Sequence, residues 1–207
     1  MTQTLTINLL AVIFAYLLGS VSTAIIVCKL FRLPDPRTTG SKNPGATNVF
    51  RTGGKLAAGL TFLGDFLKGF IPVYLAIWYK LDPFWVPLVA LAAFIGHLYP
   101  VFFNFKGGKG VATGFGAILA LSPLTGVCML ATWLASLLIF RYVSLAGIIT
   151  AIAAPFYTYH FSKTTLADYS TVAIVAIMGL LLIYRHRSNI KNLLGHKELT
   201  IDSEDKD

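Results

Sequence analysis

Apolar runs separated by short polar connectors make up almost the whole chain. They lie at about residues 5–30, 56–79, 84–103, 110–122, 124–140, 144–161 and 169–184. A bilayer crossing needs roughly 20 mostly apolar residues, and inside lipid the backbone must satisfy its own hydrogen bonds, which helices do. The pattern predicts an all-α integral membrane protein, one membrane domain over residues 1–207 with seven transmembrane helices. Polar loops are expected at about 31–55 and 104–109, and a polar tail at 185–207. The fourth run is short, so its crossing needs a second line of support.

Charge provides that support. Lysine and arginine collect on the cytoplasmic side of membrane proteins. Of the 17 here, Arg32, Arg37, Lys42, Arg51 and Lys55 follow the first run, Lys106 and Lys109 the third, Arg141 the fifth, and Arg185, Arg187, Lys191, Lys197 and Lys206 the seventh. The opposite connections hold only Lys80 and Lys163, while Lys29 and Lys68 fall inside runs. Seven crossings put all the basic connectors on one face. The expected orientation is N-terminus periplasmic and C-terminus cytoplasmic, in a bacterial inner membrane. If the fourth run did not cross, the basic tail would end outside.

Composition agrees: 56% of residues are hydrophobic and 13% charged, against about 25% charged in soluble domains. The net charge of +8 is positive-inside bias in short loops and implies no nucleic acid. The first run lacks a basic leader segment and a good cleavage site, so it reads as a span. Cys28 and Cys128 sit in apolar runs without metal-type spacing and read as packing residues. The acidic end "DSEDKD" reads as a solvated tail.

Two connectors on the basic face carry candidate chemistry. "GSKNPGATNVFRTGGK", residues 40–55, gathers Ser41, Asn43, Thr47, Asn48 and Arg51, side chains that hydrogen-bond oxygen, around a turn at Pro44 and Gly45. A plain polar connector is the bland alternative. The second, "NFKGGKGVATGFG" at 104–116, places Gly107, Gly108 and Gly110 around Lys109 just where a helix should begin. Helix N-termini attract anions, and glycine lets backbone approach a ligand closely. It is not a nucleotide P-loop, which needs Gly-Lys-Ser or Gly-Lys-Thr, because Gly110 follows Lys109. Lys106 reads as the lesser partner, an interfacial anchor.

Ionisable groups inside spans mark functional or paired sites. Asp65 and Lys68 are three apart and can face each other on one helix, either as a structural pair or as substrate contacts. His97 in "GHLYPVFF" lies near the inner end of the third run, where it reads either as an interfacial histidine or as a support for the glycine loop. In "RHRSNIKNLLGHKE" a helix would present His186 and Asn189 on one face.

"GSKNPGATNVFR", "DFLKG", "GHLYPVFFNFKGGKGVAT" and "RHRSNI…E", in this order over nearly the whole chain, resemble the acyl-phosphate-dependent glycerol-3-phosphate acyltransferase family, PlsY. The resemblance implies transfer of a fatty acyl group from acyl phosphate to the 1-hydroxyl of sn-glycerol 3-phosphate, giving lysophosphatidic acid and phosphate. It implies a place at the first acylation of bacterial phospholipid synthesis, with membrane lipid around the site and a functional link to an acyl-phosphate-producing enzyme. Carried over by position, Ser41, Arg51, Lys109, His186 and Asn189 are expected to be catalytic. Asn43, Thr47, Asn48, Gly107, Gly108 and Gly110 are expected to bind substrate and phosphate. Asp65, Lys68, His97 and Glu198 are expected to support the site.

That chemistry matches the inventory. Two phosphate substrates suit two donor-rich loops with almost no carboxylate. An acyl phosphate is already activated, so no covalent intermediate is required, and neither metal nor cofactor is expected. No histidine has an aspartate five residues on, so the H-x-x-x-x-D pair of soluble-type acyltransferases is absent. The alternative from another class is a secondary transporter of phosphate-bearing anions. Transporters bind near the bilayer midplane with inverted repeats, and neither is visible here.

Overall fold

A computed structural model of the chain describes residues 2–162 and 165–201. Lys163, Lys206 and the acidic end at 202–207, all used above, lie outside the described residues. Among the described residues every regular element is helical.

The first apolar run is not one helix. Helices α1 (Thr2–Gly19) and α2 (Thr23–Leu30) meet at a 40° bend. A bend frees backbone carbonyls in a region without water, and each must find a partner. Lys68 Nζ donates to Val21 O at 2.7 Å in the break, and it lies 2.8 Å from Asp65 Oδ1. Both side chains are buried. The intramembrane pair therefore bridges α3 to the break in the first span.

Helix α3 (Ala46–Trp78) starts ten residues before the expected span. Gly54, at φ 80° and ψ −177°, divides it into a short segment at 46–53 and the long apolar helix after it. The first polar loop is thus partly helical. Gly54 is the kink between the two helical segments.

Next come α4 (Val86–Leu98), a 3-10 turn at Val101–Phe103, and α5 (Val111–Leu121). They are followed by α6 (Pro123–Phe140), α7 (Val143–Phe161), α8 (Leu166–Arg185) and α9 (Arg187–Leu194). Pro123 cannot continue α5, and Ser122 caps α6 instead. Helices α1 and α4 cross closely: a β-carbon on Gly19 would stand 2.1 Å from Ala93 O, and one on Gly96 would stand 2.3 Å from Tyr16 O. Small residues at such crossings are how helices pack in lipid.

Four of the described helices are long and apolar enough to cross a membrane, and the bent α1–α2 pair makes a fifth. Helix α5 has 11 residues, about 16 Å at 1.5 Å per residue against a core of about 30 Å. Helix α7 has the length, but its last turns carry Tyr157, Thr158, Tyr159 and His160. The outer surface is apolar, with Leu138 72%, Phe156 70% and Leu180 67% exposed, while Phe94, Leu98 and Val73 form the interior. Apolar side chains facing outward are stable only against lipid.

Candidate active site

The expected loops meet. A β-carbon placed on Gly108 would stand 2.9 Å from Pro44 O of the first loop. Arg185, at the end of α8, donates from Nη2 to Gly107 O at 2.7 Å and from Nε to Gly108 O at 3.1 Å. Its guanidinium also lies 5.4 Å from the centre of the Tyr99 ring. The tail joins from the other side: Ile201 N–H donates to Arg141 O at 2.9 Å. Residues 40–51, 104–110, 141 and 185–201 thus share one face of the bundle.

A polar chain runs through this face. Lys109 Nζ donates to Asn189 Oδ1 at 2.6 Å, and Asn189 Nδ2 donates to Glu198 Oε1 at 2.6 Å. Ser144 Oγ donates to the same carboxylate oxygen at 2.6 Å. Glu198 therefore fixes which end of the Asn189 amide faces the lysine. Burial pushes the Lys109 ammonium down to about 8; Glu198 opposes that, and the Arg185 and Arg51 charges add to it. Three cations face one carboxylate, so the site carries an excess of positive charge that an anion would relieve.

His186 is buried, and its Nδ1 lies 2.8 Å from Leu182 O. A carbonyl only accepts, so Nδ1 carries the proton and Nε2 offers a lone pair. Burial pushes the imidazole down to about 4; the Leu182 carbonyl opposes that shift, and Lys109 adds to it. It is neutral at physiological pH and a weak base.

In the first loop, Asn48 departs from its expected role. It is buried, its Nδ2 donates to Pro36 O at 2.8 Å and Thr39 O at 3.1 Å, and its Oδ1 accepts from Ser41 N–H at 2.9 Å. It ties the loop into shape through these bonds. Ser41 and Thr47 are exposed, Asn43 and Arg51 half-buried, and Arg51 Nη2 reaches Thr200 O at 3.5 Å.

The glycine loop is also built differently from the expectation. Gly108 N–H donates to His97 O at 3.2 Å, so that amide does not face an anion. A β-carbon on Gly107 would stand 2.0 Å from His97 O, and one on Gly108 would stand 2.3 Å from His97 Nε2. These two glycines make room for His97. Gly110 adopts φ +90° as the residue before α5, a backbone that only glycine adopts without strain. The first-turn amides of α5 that follow lack intrahelical partners. Lys106 is exposed beside the exposed Phe105, as an interfacial anchor would be.

Beneath the polar chain lies a small apolar cavity of about 40 Å³, lined among others by Val111, Phe115, Trp133, Gly147, Ala151 and Met178. It adjoins the histidine, since a β-carbon on Gly147 would stand 3.8 Å from His186 Nε2 and 3.4 Å from Val111 Cγ2. No group of three His, Cys, Asp or Glu side chains able to hold a metal occurs among the described residues. Arg185 and Ser144 enter the site without a sequence signal of their own. The first reads as one more basic residue, the second as a small polar residue opening an apolar run.

The glycerol-3-phosphate acyltransferase family model matches residues 9–196. Glycerol-3-phosphate acyltransferase of Proteus mirabilis is 51% identical over 191 residues, 92% of this chain and 84% of that protein. The protein of the same name from Methylobacillus flagellatus is 52% identical over 92% of this chain and 95% of its own length. Among solved structures, PlsY (YgiH), an integral membrane glycerol 3-phosphate acyltransferase, is similar in its glycerol 3-phosphate form. That match has a TM-score of 0.87 and 43% identity, over 93% of this chain and 94% of that one. Its lysophosphatidic acid form matches with a TM-score of 0.84.

Proposed function

The chain belongs to the glycerol-3-phosphate acyltransferase family, and from that membership we propose that it moves a fatty acyl group from acyl phosphate to the 1-hydroxyl of sn-glycerol 3-phosphate, releasing lysophosphatidic acid and phosphate. The observation that carries the reading is the contact of a cation-rich polar site with an apolar cavity, at Gly147, Val111 and His186. Phosphates belong on the polar side and an acyl chain on the apolar side, so the acyl carbonyl lies at the junction.

The glycerol hydroxyl attacks that carbonyl, and the bond from the carbonyl carbon to the phosphate oxygen breaks. Lys109 and Arg51 stabilise the charge that builds on the departing phosphate. Asn189, Ser41 and Asn43 orient the acceptor. His186 Nε2 accepts a hydrogen bond from the hydroxyl and holds its direction. Phosphate leaves the acyl phosphate dianion as a trianion, a far stronger base than an imidazole held down to about 4, so the departing phosphate takes the proton. Neither metal nor cofactor has a part in this sequence, and the donor would come from an acyl-phosphate-producing enzyme.

Purified in detergent, the protein should convert palmitoyl phosphate and glycerol 3-phosphate to lysophosphatidic acid and phosphate in equal amounts, and should give no product from palmitoyl-CoA. Product from the thioester and none from the acyl phosphate would overturn the donor assignment.

All seven runs cross in this reading, with the site on the cytoplasmic face of the inner membrane. The meeting of the basic segments on one face supports it, because an even number of crossings must separate each from the next. A single cysteine at Thr52 should react only with reagent applied from the cytoplasmic side, and one at Ser162 only from the periplasmic side. Labelling of Thr52 from outside would reverse the orientation.

A further inference from the structure

We propose that His97 is a positioning residue for the phosphate loop, and that it carries the loop's height from the buried Lys68–Asp65 pair beneath. The proposal rests on reading residues 107–110 as part of a phosphate-binding loop. His97 is 6% exposed on α4, and its Nδ1 lies 3.6 Å from Asp65 Oδ1. Asp65 is paired with Lys68, whose ammonium is fixed to Val21 O in the α1–α2 break. One edge of the imidazole thus faces the buried pair without a hydrogen bond to it, and the ring is held by packing between Asp65 and Gly108. Its outer edge, Nε2, supports Gly108, and its own carbonyl accepts the Gly108 amide.

The two glycines differ in what limits them. A β-carbon on Gly107 meets backbone, His97 O at 2.0 Å and Leu98 O at 2.6 Å. A β-carbon on Gly108 meets first the imidazole, Nε2 at 2.3 Å and Cε1 at 3.0 Å, with Pro44 O at 2.9 Å. Removing the ring relieves the tightest of these contacts at Gly108, where Pro44 O must still give slightly, and relieves none at Gly107. If Gly108 were glycine because phosphate needs the room, emptying the space on the opposite side would change nothing. Lys109 follows directly, so a lifted Gly108 displaces the ammonium from Asn189. A misplacement of about 1 Å at such a group can cost about 100-fold in rate.

The experiment measures kcat, the KM of each substrate and inorganic-phosphate binding by calorimetry for Gly107→Ala and Gly108→Ala. Each is made alone and in combination with His97→Ala or His97→Asn; the asparagine keeps a polar partner for Asp65. Gly108→Ala should lose about 100-fold in kcat/KM and weaken phosphate binding. Either His97 substitution should return at least about tenfold of that loss, and neither should help Gly107→Ala. Thermal unfolding in detergent should show Gly108→Ala folded, which separates a displaced loop from a collapsed protein. An unimpaired Gly108→Ala, no recovery in the double variants, or equal recovery at both glycines would overturn the proposal. Phosphate binding reads the same pattern without turnover, so a wrong donor assignment would show as an inactive wild type that still binds phosphate in the predicted order.

Discussion

Lys109→Ala should lower kcat/KM by at least about 100-fold, the cost of removing one well-placed donor to a developing charge; Lys106→Ala should stay within about threefold, as an exposed surface charge. The two lysines are three residues apart on the same loop, and their surroundings decide the difference. Lys109 is drawn into the polar chain at 2.6 Å from Asn189, whereas Lys106 is exposed next to Phe105. The ammonium is held down to about 8, so it is charged below that pH and neutral above it. Phosphate binding should accordingly weaken as pH rises through about 8. In Lys109→Arg that limb should vanish, because a guanidinium stays charged. Steady-state kinetics with both lysine variants, and phosphate titrations at several pH values, check the assignment. Greater sensitivity at Lys106 would contradict it.

Glu198→Ala should be nearly as damaging as Lys109→Ala, and Glu198→Gln clearly milder. One carboxylate oxygen accepts from both Asn189 and Ser144. Its loss leaves the buried Ser144 hydroxyl and the half-buried Asn189 amide unpaired, and frees that amide to turn its nitrogen toward Lys109. Leaving such hydrogen-bonding groups unsatisfied costs about 1–3 kcal/mol each. Glutamine keeps an acceptor at the same place but gives up the charge opposing three cations. Turnover together with thermal unfolding separates the effects: alanine should lower both, while glutamine should chiefly lower turnover. Equal loss in the two variants would mean that the charge matters and the hydrogen bonds do not.

The helical class, the basic face, and Lys109 and Asn189 of the polar chain are legible from local pattern, while Glu198 is reached only through the family resemblance. Apolar runs, positive connectors and donor-rich loops are properties of neighbouring residues, and the His186–Asn189 spacing is a property of one helix. What the sequence could not yield is contact across the fold. Arg185 grips the Gly107 and Gly108 carbonyls from about 80 positions away, and Ser144 meets Glu198 only because the tail folds back. The glycines show the same limit. Their permissive backbone points to a ligand when read alone, whereas the neighbour they accommodate is His97, ten and eleven residues earlier. Asn48 resembles a substrate ligand by type, yet its hydrogen bonds go to Pro36, Thr39 and Ser41. The break at residues 20–22 is hidden inside a continuous apolar run, and the charge that stabilises it sits on another helix.

The central claim is a single direct transfer between two phosphate-bearing substrates, with no acyl group parked on the protein. Its most direct test is rapid-mixing measurement of phosphate release from palmitoyl phosphate, with and without glycerol 3-phosphate, in detergent with EDTA and without ATP. The account predicts no burst and negligible release until the acceptor is present, then phosphate and lysophosphatidic acid appearing together at equal rates. A burst of phosphate stoichiometric with enzyme in the absence of acceptor, accompanied by an acylated protein in the intact mass spectrum, would contradict it.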